Sequence, residues 1–352
     1  MSGFWRSFLG LLLAGGLAAC AGRTPTTPPP AELVLFIWAD YMPPDVLAAF
    51  TAETGTEVRL ITYESAEAAL AAIRAGQVYD VAVVDNEQLP ALVQAGRLAE
   101  INLSRVPNFK NISANFRDLA TDPGNRYSIP YNWGATGVVV RTDRLPAPIT
   151  TWADLWDPRL AGRVMARAQT VELLSVALKS LGQPLDTADP AALEAALARL
   201  RSLRPNLLQI AEVADVVQVF LDSSAVCLIG WSEDALLAQA QDPAVDYVLP
   251  ADGALLWGDS FIISVDSLHR AMAEQFINFV LRPEMSVQVV ETYHYATANE
   301  AALTLVDPLL LNNPVIFPPR ADLERAEWYP PLSPAAEQLF DQTWRRFLDE
   351  RP

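Results

Sequence analysis

Cysteine and histidine are nearly absent: the 352 residues hold two of each, Cys20, Cys227, His269 and His294. No zinc cluster of ordinary ligand spacing can be assembled from them, and neither a metal nor a cofactor is expected. A Ser-His-Asp triad would have to draft one of the two histidines, and no GxSxG elbow supports it. Basic residues are scarce as well, with 25 Lys and Arg against 42 Asp and Glu and a formal charge of -17. Such a surplus repels nucleic acid and anionic lipid heads. A cationic ligand is the more natural partner, although an acidic surface also serves plain solubility. No internal repeat is found.

What is present begins with an address. Arg6 precedes the apolar run "FLGLLLAGGLAAC", too short to span a bilayer as a permanent helix and ending in small residues, the layout of a secretory signal. Leu17-Ala18-Ala19-Cys20 resembles a bacterial lipobox, so cleavage before Cys20 and lipidation of its thiol are expected. Residues 1–20 then form the signal, and the Pro/Thr-rich stretch 21–32 a stiff tether. Each buried acyl methylene adds about 0.8 kcal/mol of anchoring, enough for several chains to hold the protein at the periplasmic or outer face of the cytoplasmic membrane. Cys227 is left without a partner, and no disulfide is expected.

The length exceeds one ordinary core, and 51% hydrophobic residues are ample for two. Strand-like runs alternate with helix-period segments, the signature of an α/β protein with mainly parallel sheets. "LVLFIW", "EVRLITY" and "YDVAVVD" each lead into a helix, with Pro43 and Pro44 at the first start, Gly55 at its stop, and Ser65 and Gly76 bounding the second. All three strands read as apolar enough to be buried on both faces. "SIPYNWGATGVVVRT" and "LLWGDSFIISV" are long and suit crossings between two lobes. The expected division is 33–137 with 258–303 as one lobe and 138–257 with 304–352 as the other. Their cleft is where a small ligand is expected.

In open α/β sheets ligands sit outside the carboxyl ends of the strands. There the sequence places Trp38, Asp40 and Tyr41; Asp85 and Glu87; Trp231, Glu233 and Asp234; Trp257 and Asp259; with Tyr293, Tyr295, Trp328 and Tyr329 further on. Aromatic faces attract cations and shelter methylenes, at about 0.5 to 2 kcal/mol each, and carboxylates supply the opposite charge. One Trp beside one Asp is ordinary packing; recurrence at several strand ends points to a ligand carrying ammonium groups along an apolar chain. Trp152 and Trp156, in "TTWADLWDP", are read as packing residues at a helix start capped by Thr150 or Thr151. His269 is read as lying in a solvated turn.

Together "YESAEAALAAIRAGQVYDVAVV", "SIPYNWGATG", "TWADLWDP", "CLIGWSED", "LLWGDS", "FINFVLRPE" and "YATANEAA" resemble, in the same order, stretches of the spermidine/putrescine-binding proteins of bacterial ABC transporters. The resemblance covers nearly the whole mature chain and implies the two-lobed type II periplasmic-binding fold. It implies stacking or enclosing roles for Trp38, Tyr41, Trp231, Trp257 and Tyr295, and ammonium binding by Glu172 and Asp259. Asp234 matches a carboxylate of putrescine-preferring members. Departures occur at Asp85, where a small hydroxyl residue is common, at Glu87 in place of an aromatic, at Gln169 in place of an acid, and at Tyr329 in place of an amide. The function implied is a monomeric receptor, not an enzyme, that delivers a polyamine to a permease and its ATPase. Alternatives are another cationic metabolite, a sensory role, or hydrolysis of a sugar by Glu172 and Asp259 as acid and base.

Overall fold

A computed structural model describes residues 31–211 and 216–349. The signal, the Cys20 anchor and most of the tether lie outside the described residues. Strand β1 (Ala31–Trp38) starts two positions earlier than expected, so Ala31 and Glu32 belong to the sheet and not to the tether. Helix α1 (Pro44–Thr54) carries Pro44 in its first turn and stops at Gly55, whose φ of 71° only glycine adopts freely. Strand β2 (Thr56–Tyr63) lies parallel to β1, pairing Leu33 with Val58. It is followed by α2 (Ala66–Arg74), whose Ala68 N donates to the Ser65 hydroxyl at 3.1 Å. Strand β3 (Val81–Asp85) and α3 (Leu89–Gln94) complete three βα units.

Beyond them come β4 (Ser128–Arg141), β5 (Val164–Arg167), α4 (Thr170–Ser180), α5 (Pro190–Leu203), β6 (Leu207–Ala211), α6 (Val216–Asp222), β7 (Cys227–Trp231), α7 (Ser232–Gln239) and β8 (Val245–Val248). The chain continues through β9 (Leu255–Ile263), α8 (Arg270–Val280), α9 (Pro283–Tyr293), β10 (Ala296–Thr297), α10 (Pro308–Leu311), α11 (Arg320–Leu323), β11 (Glu327–Trp328) and α12 (Pro334–Asp349). The sheet order is β2-β1-β3-β9-β4-β7-β5-β6, with β8 and β10 added on β4 and β11 on β9. Strand β2 is therefore an edge. Its middle residues are largely exposed, which corrects the expectation that all three early strands are buried on both faces.

The long strands explain the two lobes. Every residue of β4 is buried. Its first half packs Ile129 and Tyr131 into a core with Leu35, Phe50, Phe261 and Phe276, while its second half packs Val138 and Val140 into another with Leu174, Leu197, Leu255 and Phe340. Strand β9, antiparallel to β4, likewise passes from the second core at Leu255 to the first at Phe261. Their pairing slips register between Pro130 and Trp133, with β4 and β9 remaining partners on both sides. The architecture is thus a two-lobed α/β fold whose central strands are shared.

Trp152 and Trp156 pack as anticipated, their indole N–H groups donating to Gly253 O and Arg199 O, both at 2.9 Å. They ride on a single 3-10 turn, held by the Asp154 carboxylate accepting from Thr150 N and Thr151 N, both at 2.8 Å. His269 sits just before α8, with Nδ1 3.3 Å from the Asp80 carboxylate.

Candidate ligand cleft

The carboxyl ends of β1, β3, β5 and β7 open onto one cavity, and β9 runs antiparallel to β3 beneath it. The cavity holds about 360 Å3. All thirteen candidate ligand-binding residues lie on its wall: Trp38, Asp40, Tyr41, Asp85, Glu87, Gln169, Glu172, Trp231, Asp234, Trp257, Asp259, Tyr295 and Tyr329. Trp328 does not; it packs against Phe116 and Trp133.

Aromatic rings form a connected row. Trp38 meets Trp231 edge-on at 6.4 Å, Trp231 lies 6.4 Å from Trp257, Trp257 lies 6.1 Å from Tyr295, and Tyr295 reaches Tyr41 at 4.6 Å. None is stacked face to face, so ring faces are left to line the hollow. Trp257 owes its place to Gly134 on β4: a methyl group there would stand 2.3 Å from the indole. The Trp257 N–H is buried without a partner among the described residues.

Carboxylates occupy both walls, in different states. On the first, Asp85 and Asp259 face each other as register partners of β3 and β9, both at the cavity wall. The Tyr41 hydroxyl donates to Asp259. Burial raises the pKa of Asp259 to about 7, and burial followed by repulsion from Asp259 raises Asp85 well above its ordinary value. Glu87 is raised too, by burial and then by Asp85. No cation of the described residues is paired with Asp85, Glu87 or Asp259.

On the second wall, Glu172 Oε1 accepts from the Trp231 indole and from the Thr136 hydroxyl at 3.2 Å, the latter also reached by Tyr329 Oη at 3.3 Å. Burial lifts Glu172 to about 7 and Glu233 to about 8. Asp234 is not the open ammonium acceptor that its motif implies. Arg167 forks onto it, Nε donating at 2.8 Å and Nη2 to the other oxygen, and Trp231 N donates to it at 2.9 Å. Both members of this ion pair are more than nine-tenths buried. The guanidinium also lies 3.8 Å over the Trp231 ring, fixing that indole from behind. Gly230 makes the fit possible, since a methyl group there would meet the Asp234 carboxylate at 2.6 Å.

Gln169 stands just before α4 on extended backbone, with its Nε2 unpartnered. Asp40 is exposed, in a left-handed turn with φ 51°, and contributes at the rim. Glu67 on α2 also lines the cavity, as does Arg167. Sequence reasoning missed both. Arg167 ends β5, so the strand-end rule that selected the other residues could have found it. It was passed over because a search for carboxylates and rings ignores the cation that neutralises one of them.

A family model described as bacterial extracellular solute-binding protein matches residues 45–316. The spermidine/putrescine-binding periplasmic protein of Escherichia coli is 31% identical over 95% of this chain and 97% of its own. Among solved structures, the spermidine/putrescine ABC transporter substrate-binding protein PotD of Streptococcus pneumoniae superposes with a TM-score of 0.80 at 28% identity, over 91% of this chain and 99% of that one. The TpPotD lipoprotein of Treponema pallidum gives 0.80 at 25% identity, over 90% and 99%. The chain belongs to the bacterial extracellular solute-binding proteins, alongside the spermidine/putrescine-binding proteins.

Proposed function

We propose that this protein is an extracytoplasmic receptor that closes around a polyamine and delivers it to an ABC permease powered by a cytoplasmic ATPase. The observation that carries the reading is the row of aromatic faces running beside the Asp85–Asp259 wall, whose carboxyls are paired with no cation of the described residues. An alkyl diamine matches it: ammonium groups go to carboxylates and methylenes to rings. Micromolar binding corresponds to about -8 kcal/mol, within reach of charge-assisted hydrogen bonds worth about 1.5 to 3 kcal/mol each plus aromatic contacts, after association costs.

Trp38, Tyr41, Trp231, Trp257 and Tyr295 enclose the chain of the ligand, with Asp259 and Glu172 binding ammonium. Asp85, Glu87, Gln169 and Tyr329 tune which polyamine is preferred, Asp40 guards the rim, and Asp234 acts through Arg167 and Trp231. Closure is a hinge motion of lobe 33–137 with 258–303 against lobe 138–257 with 304–352, the ligand favouring the closed population. The receptor works as a monomer held by lipid on Cys20 and carries out no covalent chemistry. The Treponema relative is named a lipoprotein, which supports the anchor.

Thermal-shift titration of the purified protein with putrescine, cadaverine, spermidine and spermine tests the reading. At least one is expected to raise the melting temperature in a saturable way. Four flat titrations would overturn it.

A further inference from the structure

Asp85 and Asp259 are directly opposed on neighbouring antiparallel strands at the cavity wall. Side chains so placed have Cβ atoms about 4.5 to 5.5 Å apart, which brings two short carboxyls into contact. At that separation one carboxyl can donate a hydrogen bond to the other only while it holds a proton, and two carboxylates would repel. We propose that the empty cleft keeps one proton between Asp85 and Asp259, and that an entering ammonium group expels it, so that ligand capture is an exchange of amine for proton. This rests on the polyamine reading above.

Most of the surroundings of the pair favour the shared proton. The Tyr41 hydroxyl, after β1, donates to Asp259, and the Trp38 indole, at the end of β1, lies beside Asp85; both favour the ionised form and oppose the proton. Glu67 on α2 and Glu87 after β3 add negative charge beside the pair, as does Glu233 on α7. The phenols of Tyr63 on β2, Tyr131 on β4 and Tyr295 after α9 also face it, all neutral, the first two buried and Tyr295 half-buried. The nearest cation of the cleft, Arg167, is committed to Asp234. Two facing carboxyls, Asp259 buried and Asp85 half-buried, with no cation of the described residues paired to either, resist ionising together and titrate as a pair. Burial pushes both upward, Asp259 to about 7 with repulsion from Glu87 adding to it, and Asp85 with repulsion from Asp259 adding to it.

A bound ammonium group reverses the balance. The O–H bond of the shared carboxyl breaks, its proton leaves to solvent, and an ammonium N–H donates in its place to a pair now carrying two negative charges. Aliphatic amines of pKa near 10 stay protonated through the whole range concerned. One proton released means that affinity tightens about tenfold per pH unit while pH remains below the empty pair's upper pKa, and levels off above it.

The test is calorimetric titration of putrescine into the protein at pH 5.5, 6.5, 7.5 and 8.5, each in two buffers of different ionisation enthalpy. At pH 6.5 the two buffers should report release of about one proton. Asp85→Asn, which cannot ionise but keeps the shape, should cut that release and make the pH profile shallower, leaving the share that Glu172 gives up to the second ammonium. Binding of putrescine with buffer-independent enthalpy overturns the exchange while leaving the polyamine receptor standing. Release that persists unchanged in a folded Asp85→Asn protein overturns its assignment to this pair. Absence of amine binding at every pH removes the receptor reading and the exchange with it.

Discussion

The two walls of the cleft hold similar numbers of acids and treat them in opposite ways. At the Arg167 wall, Asp234 is neutralised by a fork of hydrogen bonds, and the pair serves to brace Trp231. At the β3–β9 wall, Asp85 and Asp259 face each other with a phenol and an indole for company and no paired cation among the described residues. One carboxylate is spent on structure; the other two are left charged with an obligation that only a ligand or a proton can meet. Acid content alone, read from sequence, does not distinguish these states. What decides is whether a cation of the protein reaches the carboxylate first.

Several variants would break or sharpen that contrast. Arg167→Met strands Asp234 as an unpaired buried charge and is expected to cost about 3 to 5 kcal/mol of stability, read from denaturant melts. Adding Asp234→Leu should restore much of the loss, because an apolar pair of similar volume avoids the desolvation of both ions. At the other wall, Asp259→Asn should leave the melting temperature intact or raised while weakening putrescine by about 2 to 5 kcal/mol, or roughly 30- to several-thousand-fold, by calorimetry. Equal affinity would remove Asp259 from the site. Gly134→Ala pushes on Trp257 and is expected to cost about 1 to 3 kcal/mol of stability, with ligand affinity falling as well.

The gentlest test uses pH alone. For an acid whose pKa is raised on folding, the folded state binds more protons than the unfolded one over the interval between the two values, so stability falls as pH rises through it. For Asp259, Glu172 and Glu233 that interval runs from ordinary carboxylate values to about 7, 7 and 8. The ligand-free protein should therefore melt at progressively lower temperature from pH 5 to pH 8 in differential scanning experiments. Asp259→Asn should reduce the slope, and a saturating polyamine should oppose it.

Much of this arrangement was legible in the sequence, for identifiable reasons. Strand ends are marked by where apolar runs stop, and Trp38 and Trp231 stand at such stops, as the rule that ligands gather there requires; Trp257 and Asp259 do not, for β9 runs on to Ile263 and brings them to the cleft because it is antiparallel to β3. Helix starts at Pro44 and Ser65 were readable because capping is local chemistry. What escaped was non-local. The exposure of β2 follows from its place at the sheet edge, which no local pattern encodes. The capture of Asp234 by Arg167, 67 residues away in the chain, depends on β5 and β7 being neighbours. The facing of Asp85 and Asp259 needs the register of two strands far apart in sequence.

Strand β9 carries Trp257 packed against the core that holds Leu255 and Phe340, and two residues later Asp259 on the face that meets β3. A molecule gripping both side chains therefore spans, within one strand, the passage from one half of the protein to the other. Occupancy would act as a splint across that passage. The slowing of amide exchange from Trp257 to Ser260 would then report cargo directly, with no need for a dye or a label.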